Sequence, residues 1–261
     1  KKIAALLAIA GLSSSAFATN GMNMEGYGPI ATGMGGASMA YDNGTAGLAN
    51  NPATISMMKS GTARLDLAIG GLHPDVNAKM TGMPDAKSGG DAYYMPAVGY
   101  VRKDGKLTYG VGVFAQGGMG TEYAADSFMA AGSGTDARSE LGVGRLIFPL
   151  AYDVSPDFTV GGSVDFVWAT LDMKMAASTA QLAGMRTGGT MDISGLSGFD
   201  WARIDFSDSN DFSGSAKGTG WAGKLGFTYR ASKQLTVGAV YQSKTSLSDL
   251  ETGATGAAMT A

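Results

Sequence analysis

Cysteine is absent from the 261 residues, and histidine occurs once, at His73. The first absence excludes a disulfide framework, a thiolate metal site, a cysteine nucleophile and a lipoprotein anchor. The second leaves any Ser-His-Asp triad dependent on His73. That residue sits in "LHPD" beside Pro74 and Asp75, and no nucleophile elbow accompanies it, so a solvated loop histidine is expected. Charge is also scarce: charged residues are 16% of the chain, against about 25% in typical soluble domains. With a formal net charge of −3 there is no electrostatic ground for a nucleic-acid partner. No later segment approaches the 18 or so unbroken apolar residues of a transmembrane helix. Neither phosphate-binding pattern holds. "GTGWAGKL" (218–225) ends in Leu225 where a P-loop needs Ser or Thr, and "GMGGAS" (33–38) opens no βαβ unit. No catalytic residue, metal or cofactor is expected, and the chain is read as a non-enzyme.

What is present begins with an export signal. Lys1 and Lys2 precede an apolar run, "IAALLAIAGL", and "SSSAFA" supplies an A-x-A cleavage pattern ending at Ala18. Residues 1–18 therefore read as a signal peptide. Glycine supplies 41 positions, yet 44% of the residues are hydrophobic, which argues against disorder, and no Gly-X-Y period suggests collagen.

From residue 62 onward, apolar residues alternate with small or polar ones, the period of a strand with two different faces. In "TARLDLAIG", Leu65, Leu67 and Ile69 share a face opposite Arg64 and Asp66; in "FTVGGSVDFVW", Asp165 falls opposite Val164 and Phe166. Lys224 has the same relation to Leu225 and Phe227. Strands are expected near 60–73, 92–102, 107–121, 139–152, 158–175, 218–230 and 235–250. Alternate connections are tiny ("KDGK", "VSPD", "ASKQ"), and the others are long (74–91, 122–138, 176–217). Long strands, with tight turns on one rim and long loops on the other, are the pattern of an outer-membrane barrel. Aromatics near strand ends, among them Tyr93, Tyr94, Tyr100, Tyr152, Phe158, Trp168, Trp221 and Tyr229, suit interfacial girdles. The fold class is all-β, a transmembrane antiparallel β-barrel over residues 59–261. About seven strands are present; a closed barrel needs an even count and no final amphipathic strand follows, so they are read as the front part of a longer barrel.

One stretch fits no strand. "AGLANNPATISMM" (46–58) carries Pro52 and two asparagines among apolar residues, and reads as irregular backbone packed against something. The run "ATNGMNMEGYGPIATGMGGASMAYDNGTAGLANNPATI" (18–55) resembles the start of the FadL/TodX family of outer-membrane transporters. "LHPDVNA", "QGGMGTEY" and the strand spacing extend that resemblance to about residue 250.

The resemblance implies that residues 19–58 form a hatch inside a barrel of about fourteen strands, with Asn50, Asn51, Pro52 and Ala53 as its motif and the two asparagine amides capping wall groups beside a kink. It implies a kinked third strand and a lateral gate at Gln116, Gly117, Gly118, Met119 and Gly120. Leu48, Met57, Met58, Phe114, Phe128 and Met129 are expected on a hydrophobic ligand path, and Arg64, Asp66, Asp165 and Lys224 as polar groups of the lumen. The implied function is uptake of long-chain fatty acids or aromatic hydrocarbons across a Gram-negative outer membrane. Capture would occur at outer loops, with exit through the gate. Thr170 or Leu171 stands where fatty-acid transporters place a cation, which tilts the reading toward neutral hydrocarbons. The implied partners are outer-membrane lipid and lipopolysaccharide, the hydrophobic substrate, and the barrel-assembly machinery during insertion, with a monomer as the working unit. A structural or adhesive barrel, or a general aqueous porin, is the alternative.

Overall fold

A computed structural model describes residues 24, 26–178, 201–208, 210, 213–252 and 258–260. The signal-peptide reading, the first residues of the expected hatch and much of loop 176–217 lie outside the described residues.

The wall is one antiparallel sheet. Its strands are β1 (Thr62–Leu72), β4 (Tyr93–Asp104), β5 (Leu107–Tyr123), β6 (Ala137–Ser155), β7 (Phe158–Ser178), β9 (Ala216–Arg230) and β10 (Thr236–Gln242). These follow the seven strands expected from alternation. Short pieces fill the connections: β2 (Asn77–Ala78) pairs with β3 (Ala86–Lys87), β8 (Trp201–Phe206) pairs with β12 (Ala258–Thr260), and β11 (Ser246–Leu247) pairs with β9. The expected final strand over 235–250 is thus broken. Three residues, Ser243–Thr245, separate the pairs Gln242↔Lys224 and Ser246↔Trp221 while two separate them on β9, a bulge that aims Thr245 at Arg145. β7 has two neighbours on one edge, with Phe158–Leu171 pairing β9 and Met173–Ser178 pairing β8. Among the described residues β1 pairs only with β4, so the sheet is not closed.

β5, β6 and β7 run for 17, 19 and 21 residues, well beyond the roughly 9–11 that cross a bilayer as a tilted strand. Their short connections are tight because the turn residues suit them; Gly105, at φ 60°, turns β4 into β5. One face of the sheet is an apolar surface. Leu67 is 77% exposed, Leu225 67% and Trp221 56%, and Leu150, Tyr152, Val164 and Tyr229 join them. Soluble monomers rarely expose apolar patches beyond a few hundred Å², so this face calls for a non-aqueous neighbour. No helix of the described residues is long and apolar enough to cross a membrane. Tyr100, Tyr109, Tyr152 and Tyr229 lie outward toward the short-turn rim, as girdle residues do. Tyr93 departs from the expected girdle. It neighbours the outward Tyr94 on a pleated strand, so it turns inward, and its phenol oxygen accepts from the Gly120 N–H.

The opposite face encloses the N-terminal segment. A short helix α1 (Pro29–Gly33) leads to two 3₁₀ turns, Gly44–Leu48 and Pro52–Met57. Pro52 starts the second turn rather than ending one, since a first helical residue needs no donated N–H. Residues 45–56 are buried throughout. Leu48, Ile55 and Met58 join Val101, Phe114 and Ile147 of the wall in one apolar core.

Candidate functional site

The inner face holds the N-terminal segment by close approach and by buried charge. A Cβ on Gly161 of β7 would lie 2.5 Å from the Ala53 nitrogen, so the segment's backbone lies directly against the strand. Asn51, fully buried, caps its own turn by accepting from the Ala53 N–H, and its amide donates to the carbonyls of Met39 and Phe227 at 2.8 and 3.1 Å. Toward the short-turn rim, Lys103 donates to the Ser56 carbonyl and pairs with Asp153 at 2.6 Å, and the Ser56 hydroxyl donates to the same carboxylate.

A second polar group lies deeper. Asp165, fully buried, accepts from Arg145 at 2.9 Å and from Lys224 at 2.7 Å. The Lys224 ammonium also donates to the Leu48 carbonyl at 3.2 Å. Arg145 reaches the other way, donating from Nε to the Gln116 side-chain oxygen. Gln116 is the extra residue of a bulge in β5: Ala115 pairs with Gly144, and the next pair is Gly117 with Val143. Its main-chain carbonyl accepts the Tyr27 hydroxyl at 2.8 Å. Tyr27 is gripped by Asn50, whose side-chain oxygen accepts the Tyr27 N–H and whose amide donates to the Tyr27 carbonyl, both at 2.9 Å. Leu48, Lys224, Asp165, Arg145, Gln116, Tyr27 and Asn50 thus form a closed circuit between the segment and the bulge. Burial pushes the Tyr27 phenol well above its usual range, which keeps it a donor.

Beside this circuit the wall opens. The β4–β5 ladder runs from Asp104↔Leu107 to Ala97↔Phe114 and stops, although β4 continues to Tyr93 and β5 to Tyr123. The carbonyls of Tyr100 and Val98 approach Gly110 and Gly112 of β5. By the two-residue period, Pro96 presents its backbone to that same edge, where it has no N–H to offer. Above the gap the connection leading from β3 to β4 is tied to the end of β5, by the Gly89 N–H to the Glu122 carbonyl at 2.7 Å and by the Glu122 N–H to the Ser88 hydroxyl. The result is a window. On its inner side lies a cavity of about 990 Å³, with Tyr27, Met95, Ala97, Phe114 and Ala115 at the window end and the Arg64–Asp42 pair among its polar lining.

The predicted site residues fall in several places. Asn50, Asn51, Pro52 and Ala53 lie together against the wall, but neither asparagine caps the kink as expected. Asn51 faces β9, Asn50 holds Tyr27, and Tyr27 caps the bulge carbonyl because its ring supplies the reach that an asparagine lacks. Gln116, Gly117, Gly118, Met119 and Gly120 form the bulge and the strand beyond it. Gly118 has φ 132°, a conformation that suits glycine. Arg64 binds Asp42 through both guanidinium nitrogens, Asp66 accepts the Thr45 N–H, and Asp165 and Lys224 pair in the circuit.

Of the six residues expected on a ligand path, Leu48, Met58 and Phe114 meet in one apolar core, and Met57, Phe128 and Met129 lie elsewhere. Leu48 and Met58 are buried in the core between segment and wall, where packing leaves no room for a ligand. Met57 lines a small polar cleft with Lys103 and Asp153. Phe128 packs on Tyr123 and Ala137 near the long-loop rim with Met129 beside it, and Phe114 lines the cavity. Tyr27, Asp42, Pro96, Arg145 and Asp153 were not singled out by the sequence reading. A lone arginine in the apolar run "GVGRLIF" was the available signal for Arg145.

A long-stranded antiparallel wall with one apolar face and a segment packed on the other defines a class, the transmembrane β-barrel. The family described as outer membrane protein transport protein (OMPP1/FadL/TodX) matches residues 5–257, and the chain belongs to it. Among solved structures, the Pseudomonas putida toluene transporter TodX is 31% identical with a TM-score of 0.77, over 87% of this chain and 58% of that one. The Ralstonia pickettii toluene transporter TbuX is 32% identical with a TM-score of 0.69, over 87% and 62%. An uncharacterized Chlorobium limicola protein, from the 5′ region of a phosphoenolpyruvate carboxykinase gene, is 49% identical over 81 residues, 31% of this chain and 39% of that protein. The chain therefore spans about three fifths of the length of these solved relatives.

Proposed function

We propose that this chain forms part of an outer-membrane channel that takes up hydrophobic small molecules and releases them sideways, through the window between β4 and β5, into the membrane. The observation that carries the reading is the interrupted ladder. Its gap lies beside a cavity of about 990 Å³, lined at that end by Tyr27, Met95, Ala97, Phe114 and Ala115. A molecule leaving by that route never crosses bulk water. The gain is transfer of apolar surface, roughly 25 cal/mol per Å². The N-terminal segment acts as the hatch, so a straight aqueous path is closed. Residues 1–18 direct export to a Gram-negative outer membrane, where lipid and lipopolysaccharide surround a monomeric barrel.

Neutral monoaromatic or aliphatic hydrocarbons suit the cavity better than fatty acids. Arg64, the cation lining it among the described residues, is already engaged by both oxygens of Asp42. The relatives named as toluene transporters support the same class.

Deleting Gln116 tests the route, because removing the extra residue restores a regular register and draws β5 back toward β4. Uptake of radiolabelled toluene by cells carrying the full-length protein is expected to fall at least tenfold, with assembly intact. Uptake at the parent level would refute lateral exit. A steady open conductance of the purified protein in planar bilayers would favour the aqueous-porin alternative.

A further inference from the structure

Tyr27 stands where β4 and β5 part. Its ring meets Phe114 edge-on, with centroids 6.2 Å apart, and packs against the core alongside Ala97; Ala97 and Phe114 are the last pair of the ladder. Its hydroxyl ends on the carbonyl of the bulge residue itself. The side chain therefore reaches from the N-terminal segment across the inner mouth of the window to its far edge. Behind it, Asn50 fixes the Tyr27 backbone at both N–H and C=O, so the ring cannot swing without breaking that grip or losing the hydroxyl bond. The bulge is held from its other side as well, since Arg145 binds the Gln116 side chain and is anchored by Asp165.

We propose that Tyr27 is the latch of the window, a positioning residue whose hydroxyl holds the Gln116 bulge in the closed arrangement and lets go each time a molecule passes. This rests on the lateral-exit reading. The rest of the segment is poorly suited to move. Residues 45–56 are buried; Lys103 ties them to β4, Lys224 and Asn51 tie them to β9, and the Ser56 hydroxyl ties them to Asp153 of β6. Tyr27 belongs to the less buried leading part, where one rotation of a ring clears the mouth while the docked part stays in place. The latch also explains why Asn50 turns away from the wall: it holds the hinge.

The test uses the full-length protein in liposomes, with radiolabelled toluene as probe and hydrogen exchange of the Gly117–Gly120 amides as a second reading. Tyr27→Phe keeps the ring and its packing and removes only the hydroxyl. One lost neutral hydrogen bond corresponds to about fivefold. Exchange at Gly117–Gly120 is expected to rise about fivefold while that of Lys224–Thr228 stays at the parent level. Maximal uptake is expected to rise by a similar factor, with the half-saturating concentration unchanged within about twofold. Faster exchange without faster uptake would overturn the latch and leave the bond a purely structural cap. Parent-level exchange, or slower uptake, would overturn it too. The Gln116 deletion separates the two claims. If it abolishes uptake while Tyr27→Phe changes nothing, the latch alone fails; if it leaves uptake intact, the window route fails.

Discussion

Replacing Asp165 by asparagine removes the carboxylate shared by Arg145 and Lys224 and leaves two buried cations facing each other. The contacts are 2.9 and 2.7 Å, and the two cationic side chains are only 6% and 2% exposed, so solvent screens little of the change. Breaking a buried pair from one side costs about 3–5 kcal/mol, because the partner's charge stays desolvated. Asparagine keeps the shape and one carbonyl acceptor, which places the expected loss near the lower end, about 3 kcal/mol. The assay is urea unfolding of the full-length protein in detergent micelles, followed by tryptophan fluorescence. The second arm is Asp165→Asn combined with Lys224→Met. Removing one surplus cation should restore about 1–2 kcal/mol relative to the single variant, a non-additivity that contact requires and distance would not produce. A single variant within about 1 kcal/mol of the parent, or strictly additive effects, would refute the buried-circuit reasoning.

Two further outcomes follow from the docking geometry. Gly161→Val places a branched side chain where a Cβ alone would meet the Ala53 nitrogen at 2.5 Å, so the segment should be forced off β7 at a cost of about 1–3 kcal/mol. Limited proteolysis is expected to cut within residues 43–58 in that variant and not in the parent. The Asp42 carboxyl is held below its ordinary value of 3.8 mainly by its hydrogen bond to Arg64. A depressed folded value means the pair's contribution is complete above about pH 4 and is lost as pH falls through the lowered value. With both side chains about a third exposed the effect is small. Exchange at Gly44 and Thr45 should therefore quicken modestly at pH 2–3 relative to pH 7, after correction for the intrinsic rate. No such change would remove the pair as a tether.

The comparison of sequence with structure divides along a physical line. Strand positions, the two rims and the identity of the outward face were legible in the residues, because a strand's side chains alternate every two positions whatever lies around them. Leu65, Leu67 and Ile69 announce a non-aqueous face without any tertiary knowledge. The packed character of 46–58 was legible too, since apolar residues around Pro52 had to find a partner other than water. The resemblance placed the bulge in the right stretch, and the repeated glycines of "QGGMG" agreed with it.

Which interior residues meet was not legible. Lys224 and Leu48 are 176 positions apart, and Tyr27 and Gln116 are 89 apart. Whether such pairs touch depends on how the wall curves and where the segment rests within it, and no local period encodes either. Asn50 and Asn51 are adjacent and chemically identical, yet one grips Tyr27 and the other grips β9. Residue type thus determined the wall and its two environments. The enclosed geometry alone decided the circuit, the cavity and the window, because buried polar groups take whichever partners the closed space brings within reach.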